Sequence, residues 1–194
     1  MDRSVRVCLR AVTAIFAASA ALAADNELYD APPPDDAAFI RWIEPDHAPE
    51  VLGVRSLGEA GDVFHPVSAA KTDGARAGVY YTVARDALGQ VVVIEEPKRV
   101  DRSKVLLTLV NLSESPVRLI VPDQHVEVVG STPPNTAGGR AVNPVTASVA
   151  VWSERSGVLG RFELQLRRGQ NVTLVARPES AELIENQFGA NLGG

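Results

Sequence analysis

VVVIEEPKRVDRSKVLLTLVNLSESP, residues 91–116, decides how this chain is divided. The β-branched run of Val91, Val92, Val93 and Ile94 leads into Glu95, Glu96 and Pro97. Proline has no N–H to give a sheet ladder, so Pro97 ends the strand before it. Lys98, Arg99, Arg102 and Lys104, with Asp101 among them, form a solvated basic connector, after which the apolar alternation resumes. The stretch reads as a seam between two units rather than a hairpin inside one.

The flanks support that division. YTVAR (81–85) resembles TLVAR (173–177), and VVVIEE (91–96) resembles AELIEN (181–186). IRWIEPDHAPEVLGV, starting at Ile40, and LTLVNLSESPVRLIV, starting at Leu107, each hold a strand, a polar turn, a proline (Pro49, Pro116) and a second strand. Similar segments repeated in the same order predict an internal duplication. Helical periodicity is nearly absent, and short runs of Val, Ile, Leu, Thr and Tyr recur between Gly, Pro, Asn and Asp, the pattern of a sandwich or barrel. Strands are expected at 38–43, 51–54, 79–85, 90–95, 104–110, 117–121, 126–129, 145–152, 161–166, 172–177 and 182–185. The predicted fold is all-β: two tandem small β-sandwich domains joined by a short linker, after a cleaved signal peptide. In order these are a signal peptide (1–23), an extended N-terminal arm (24–37), a first sandwich (38–97), a basic linker (98–103), a second sandwich (104–186) and a tail (187–194). The second sandwich carries a Pro-, Gly- and Asn-rich loop at 130–144, expected to be irregular and exposed.

At the amino terminus, Arg3, Arg6 and Arg10 precede an apolar run, and Ala21-Leu22-Ala23 fits a small-x-small cleavage site. The run is too short to span a bilayer and reads as a secretory signal. Cys8 lies before it, so the exported chain has no disulfide, thiolate nucleophile or thiolate metal site. The chain carries a formal charge of −5, and removing the leader, net +2, leaves about −7. Such a protein should not bind nucleic acid or anionic membrane by bulk charge. With 45% hydrophobic residues it can build a core without disulfides.

Chemistry is sparse along the chain. His47, His65 and His125 form no HxH or HxxxH pattern, so no metal site is expected, and each is read as exposed or capping. No GxSxG elbow is present. Asp123-Gln-His125 sits between expected strands and reads as a turn. Glu95 and Glu96 are adjacent on a strand and point to opposite faces, so they cannot flank one substrate together. No catalytic residue and no cofactor is expected. Among the aromatics, Trp42 falls where Leu109 falls in the repeat and is expected in the core. Trp152 shares a face with Thr146, Ser148 and Ala150, opposite Val149 and Val151, and is expected to face outward. It and the basic residues Lys98, Arg99, Arg102 and Lys104, together with Arg167 and Arg168, are the candidates for contact with a protein partner or a sugar.

LYDAPPPDDAAFIRW (28–42), YYTVARDALGQVVVIEEP (80–97), KVLLTLVNLS (104–113) and AVNPVTASVAVW (141–152) together resemble the AlgF family of periplasmic alginate O-acetylation proteins. The resemblance spans nearly the whole exported chain. It rests on an ordered series: Leu28-Tyr29, Glu95-Glu96-Pro97, Asn111-Leu112-Ser113 and Asn143-Pro144. The end after Arg177 departs from the pattern. The resemblance implies a periplasmic protein acting with a membrane-bound O-acyltransferase and SGNH-type periplasmic acetyltransferases. Those partners place acetyl groups on mannuronate hydroxyls of alginate during export. It brings no catalytic residue onto these positions. The expected function is a non-catalytic adaptor of the acetylation complex; the alternatives are a carbohydrate-binding module for the exopolysaccharide, or an O-acetyltransferase using a serine with His125.

Overall fold

The computed structural model describes residues 32–44, 49–56, 61–98, 100–101, 103–122 and 126–188. The expected signal peptide with Cys8, most of the N-terminal arm with Leu28 and Tyr29, and His47, Arg99, Arg102, Asp123 and His125 lie outside the described residues.

The described chain is all-β, as its alternating pattern predicts. The strands are β1 (Ala37–Trp42), β2 (Val63–Ser68), β3 (Tyr80–Arg85), β4 (Val91–Glu95), β5 (Val105–Asn111), β6 (Val117–Val121), β7 (Val126–Thr132), β8 (Thr136–Val142), β9 (Thr146–Ser153), β10 (Gly157–Gln165), β11 (Asn171–Ala176), β12 (Ala181–Glu185) and β13 (Gln187–Phe188). They form three sheets, ordered β13-β2-β1-β3-β4, β10-β9-β6-β7 and β12-β11-β5-β8. The last two close face to face over a core that includes Leu107, Leu109, Leu119, Val149, Val151, Leu164 and Leu174. Because side chains alternate across a strand, Val110 and Val175 of the same β5 and β11 point the other way. There they meet Ala84 and Ile94 of the first sheet. The β12-β11-β5-β8 sheet is thus a middle layer, buried on both faces. The first unit is a single five-stranded sheet rather than a facing pair. Its far face, with Ile40, Trp42, Tyr81 and Val83, is covered by Val51, Leu52 and Val54 and by Ala69, Ala75 and Val79.

The two units share a strand plan. In the first, β1 runs parallel to β3, β3 turns back into β4, and β2 flanks β1 antiparallel. In the second, β5 runs parallel to β11, β11 turns back into β12, and β8 flanks β5 antiparallel. Ile40 pairs with Tyr81 as Leu107 pairs with Val172, and Thr82 pairs with Ile94 as Thr173 pairs with Ile184. This corrects the sequence match of YTVAR with TLVAR by one residue, since Thr82 is equivalent to Thr173. The cause is turn length: residues 86–90 separate β3 from β4, whereas only 177–180 separate β11 from β12. The VVVIEE and AELIEN segments match without a shift.

Other expectations fail for local reasons. β2, VFHPVS, was not expected because it contains proline. Asp36 and Ala69 are hydrogen-bonded across the β1–β2 ladder, so by alternation the Pro66 nitrogen points away from β1, to the side on which β13 pairs with β2 only at Val63 and Phe64 among the described residues. The 130–144 segment is not an irregular loop: β7 extends to Thr132 and β8 fills most of the remainder. Its glycines answer to crowding. A Cβ on Gly138 would sit 2.6 Å from Thr132 Oγ1, and one on Gly139 would sit 2.9 Å from Pro97 Cγ. Residues 51–54 form a tight turn instead of a strand. Val51 and Val54 exchange backbone hydrogen bonds, with Leu52 and Gly53 at φ 52° and 70°. The arm does not run extended to residue 37. Ala37 N–H donates to the Pro34 carbonyl, making Asp35-Asp36 a turn, and β1 begins directly after it. The tail is not free at its start, because β13 returns to pair in parallel with β2. His65 is buried at 3% exposure rather than exposed.

Candidate interaction surfaces and the seam between the units

A buried polar cluster built around a charge lies where the first sheet meets the middle one. Arg41 is flanked in sequence by the core residues Ile40 and Trp42, and strand alternation sends it to the opposite face. It is 0% exposed. Its Nε donates to Thr82 Oγ1 at 2.8 Å, one terminal nitrogen donates to Asn186 Oδ1 at 2.8 Å, and the other to Glu96 Oε1 at 2.6 Å and Thr173 Oγ1 at 3.1 Å. Thr82 also donates to Glu96, and Thr173 to Asn186. The strand registers make Thr82 equivalent to Thr173 and Glu96 equivalent to Asn186, so one arginine is gripped by the same pair of positions from each unit. The guanidinium lies 4.5 Å from the Phe64 ring centroid, which adds a cation–π contact. A charge so deeply buried is tolerated only when paired and hydrogen-bonded, and both conditions are met. In the second unit the position of Arg41 is held by Thr108, so the grip is made once. At the edges of the seam, Arg177 pairs with Glu44 at 3.0 Å and Asn135 Nδ2 donates to Asp86 Oδ2 at 3.2 Å.

The motif positions have structural duties. Glu95 is exposed and ion-paired with Arg76, while Glu96 is buried at the seam, on the opposite face as expected. Pro97 packs against Gly139. Asn111 is fully buried: its Nδ2 donates to the Ser115 and Thr132 carbonyls, and its Oδ1 accepts from Ser113 N–H and Oγ. It ties the β5–β6 turn to β7. Asn143 and Pro144 are exposed between β8 and β9.

Trp42 is buried, as expected, with Nε1 donating to the Pro49 carbonyl at 3.1 Å. Trp152 lies on the outer face of β9, half-buried, with the Arg118 guanidinium 5.7 Å from its ring centroid. Arg118 also pairs with Glu154 at 2.7 Å and Glu127 at 3.7 Å. The basic candidates lie elsewhere. Lys104 precedes β5 and lines a recess of about 330 Å³ with Val126, Arg140 and Val142. Nearby, the Asp101 carboxyl is held below the usual carboxylate range, first by hydrogen bonds from Ser103 and then by the charges of Lys104 and Arg168. Arg168 thus joins the basic end, whereas Trp152 sits at the opposite end of the sandwich, beside the Val117–Thr132 pair. Among the described residues, Trp152 and Lys104 are not brought into one site. Lys98 is exposed, and Arg99 and Arg102 lie outside the described residues.

Sequence reading missed Arg41, Thr82, Thr173 and Asn186 as a group, and Arg118 as the neighbour of Trp152. One signal was available: a lone arginine between large apolar residues in FIRW, with a glutamate ending the strand two places away in the sheet. Among the described residues no helix is long and apolar enough to cross a membrane.

Residues 11–173 match the family model described as "Alginate O-acetyl transferase AlgF". The chain belongs to the AlgF family. An alginate biosynthesis protein AlgF from Azotobacter vinelandii is 29% identical over 168 residues, 78% of this chain and 77% of that protein. The AlgF of Pseudomonas aeruginosa is 26% identical over 183 residues, covering 86% and 85% of the two chains. A solved structure of the C-terminal domain of the P. aeruginosa AlgF is 26% identical, with a TM-score of 0.38. It covers 43% of this chain and 98% of that one. The AlgF family match reaches across both units and the seam, so the Arg41 cluster lies almost wholly within it, with Asn186 just beyond its end.

Proposed function

We propose that this AlgF-family chain is a non-catalytic periplasmic adaptor of an alginate O-acetylation complex. It would hold an SGNH-type acetyltransferase and a membrane-bound O-acyltransferase together while mannuronate residues are acetylated during export. The observation that carries the reading is the seam. Two units of one plan are locked face to face by a saturated buried cluster, which consumes Glu96 and makes a rigid body with separate outward faces. Such a body suits holding two proteins at a fixed spacing. Of the other polar motif residues, Glu95 is engaged in an ion pair and Asn111 in a turn, while Asn143 is exposed. The test is to incubate the purified exported chain with an acetyl donor and mannuronate oligomers, with and without the acetyltransferase partner. The adaptor reading predicts no transfer by the chain alone; transfer by the chain alone overturns it.

One observation favours a second reading, polysaccharide binding. Trp152 with Arg118 offers an aromatic surface beside a cation, flanked by Glu127 and Glu154. Titration with mannuronate oligomers at low salt decides it: heat abolished by Trp152→Ala supports it, and no heat up to millimolar sugar removes it.

A further inference from the structure

We infer that the open edge of β12 is a docking site for an extended, basic segment of a partner protein, added as a further strand. The inference rests on the adaptor reading and names the surface through which one partner is held. β12 ends the middle sheet, and among the described residues no strand pairs with its outer side. Asn186 N–H donates to the Asn171 carbonyl, and Arg177 N–H donates to that of Ser180. Antiparallel alternation then turns Thr173–Ile184 and Val175–Glu182 into the hydrogen-bonded pairs. The N–H and C=O groups of Leu183 and Glu185 therefore point outward along the edge.

A recess lies on each side of that edge. Toward the first unit, one of about 490 Å³ is lined by Ile43, Gly61, Asp62, Glu182, Ile184 and Glu185. Toward the outer sheet, one of about 310 Å³ is lined in part by Leu164, Leu166, Val172 and Leu183. An incoming strand sends successive side chains to opposite faces, so its alternate residues would enter the two recesses in turn. That is the arrangement in which main-chain bonds supply affinity and flanking pockets supply specificity.

The two recesses differ in chemistry, and the difference identifies the occupant. The first presents the Asp62 and Glu182 carboxylates and no basic lining residue, whereas alternation turns the Glu185 side chain to the second, where Gln170 Nε2 donates to it at 2.6 Å. Asp62 Oδ1 is buried there without a hydrogen-bond partner, although Oδ2 accepts from Gln187 Nε2 at 2.9 Å. The nearest cation paired to this wall is Arg177, 3.3 Å from Glu182. The second recess sets the apolar Leu164, Leu166, Val172 and Leu183, the last 42% exposed, beside Glu163, Arg167 and Glu185. The matching segment alternates Lys or Arg with apolar residues. The equivalent edge, β4, carries Val91 and Val93, exposed at 39% and 42%, and lines neither of these two recesses.

The experiment places a photo-crosslinking amino acid at position 183 of the full chain, and at 158 on the outer sheet as control, in cells making the polymer. The expected result is a crosslink from 183, absent from 158, to an extended Lys- or Arg-bearing segment of an acetylation-complex protein. Leu183→Pro removes the outward N–H and the leucine side chain while sparing the β11–β12 hydrogen bonds, and it should lower recovery of that protein at least tenfold. Should the proline variant not fold, Glu182→Lys combined with Glu185→Lys, both exposed, should give the same loss. If the partner is recovered undiminished by these variants, or crosslinks from 158 and not 183, the docking site is wrong and the adaptor reading stands. If the wild-type chain recovers no acetylation protein, both fail.

Discussion

The two units share four strands in one arrangement and differ in how each buries its second face. The second unit closes its far face with a whole sheet. The first closes its own with turns and a short 3-10 segment, and turns its other face to its sibling. That asymmetry places one arginine, and not two, at the seam. Arg41 comes from the unit lacking a second sheet, and Thr108 stands opposite in the unit that has one. Fused repeats with identical faces could slide or pair with copies from other chains. A single buried guanidinium, gripped by Thr82 and Glu96 on one side and Thr173 and Asn186 on the other, admits one register.

The sharpest way to break the comparison is Arg41→Ala. It strands Glu96 in the seam and should cost about 3–5 kcal/mol, measured by urea unfolding of the chain from residue 24 onward. Joint replacement of Arg41 by Met and Glu96 by Leu should cost less than Arg41→Ala alone, because no buried charge is left unpaired. An equal or greater loss would mean that the pair itself, rather than its completeness, stabilises the seam. Gly61→Ala should come next, at about 1–3 kcal/mol, since its Cβ would lie 2.6 Å from the Ile43 carbonyl oxygen, a backbone atom that cannot swing aside. Thr108→Val, at the position equivalent to Arg41, should cost less than about 1 kcal/mol, because the two buried side chains have nearly the same shape and no charge is left unpaired.

The smallest effect separates the two hairpins by pH. Backbone N–H groups of Gln90 and then Leu88, with the Asn135 amide, hold the Asp86 carboxyl below its ordinary range. A carboxyl depressed in the folded state adds stability that is fully present above its unfolded value. That stability is lost as pH falls through the lower folded value. Stability of the wild type should therefore decline with acid more steeply than that of Asp86→Ala, as followed by unfolding midpoints across the acid range.

Much of this fold was legible because strand alternation is a local signal. Val105, Leu107 and Leu109 on one face, and Val149 and Val151 opposite Trp152, follow from period two alone. β2 and β8 were not legible because Pro66, Gly138 and Gly139 are normally turn residues. Only the neighbours show why they fit: a proline nitrogen turned away from β1 in one case, and crowding by Thr132 and Pro97 in the other. The one-residue slip in the repeat came from a turn length that sequence similarity absorbs silently. Trp152 could be placed on an outer face, but its pairing with Arg118 depends on which strand lies beside β9. The seam was hidden for the same reason, since its members lie as far apart as Arg41 and Asn186 in the chain.

The most direct test of the adaptor account is a crosslinked pull-down from periplasmic and membrane fractions of polymer-exporting cells, with the C-terminally tagged chain as bait. The account predicts recovery of the SGNH acetyltransferase or the membrane-bound O-acyltransferase. A clean preparation that brings down polysaccharide and neither protein would contradict it.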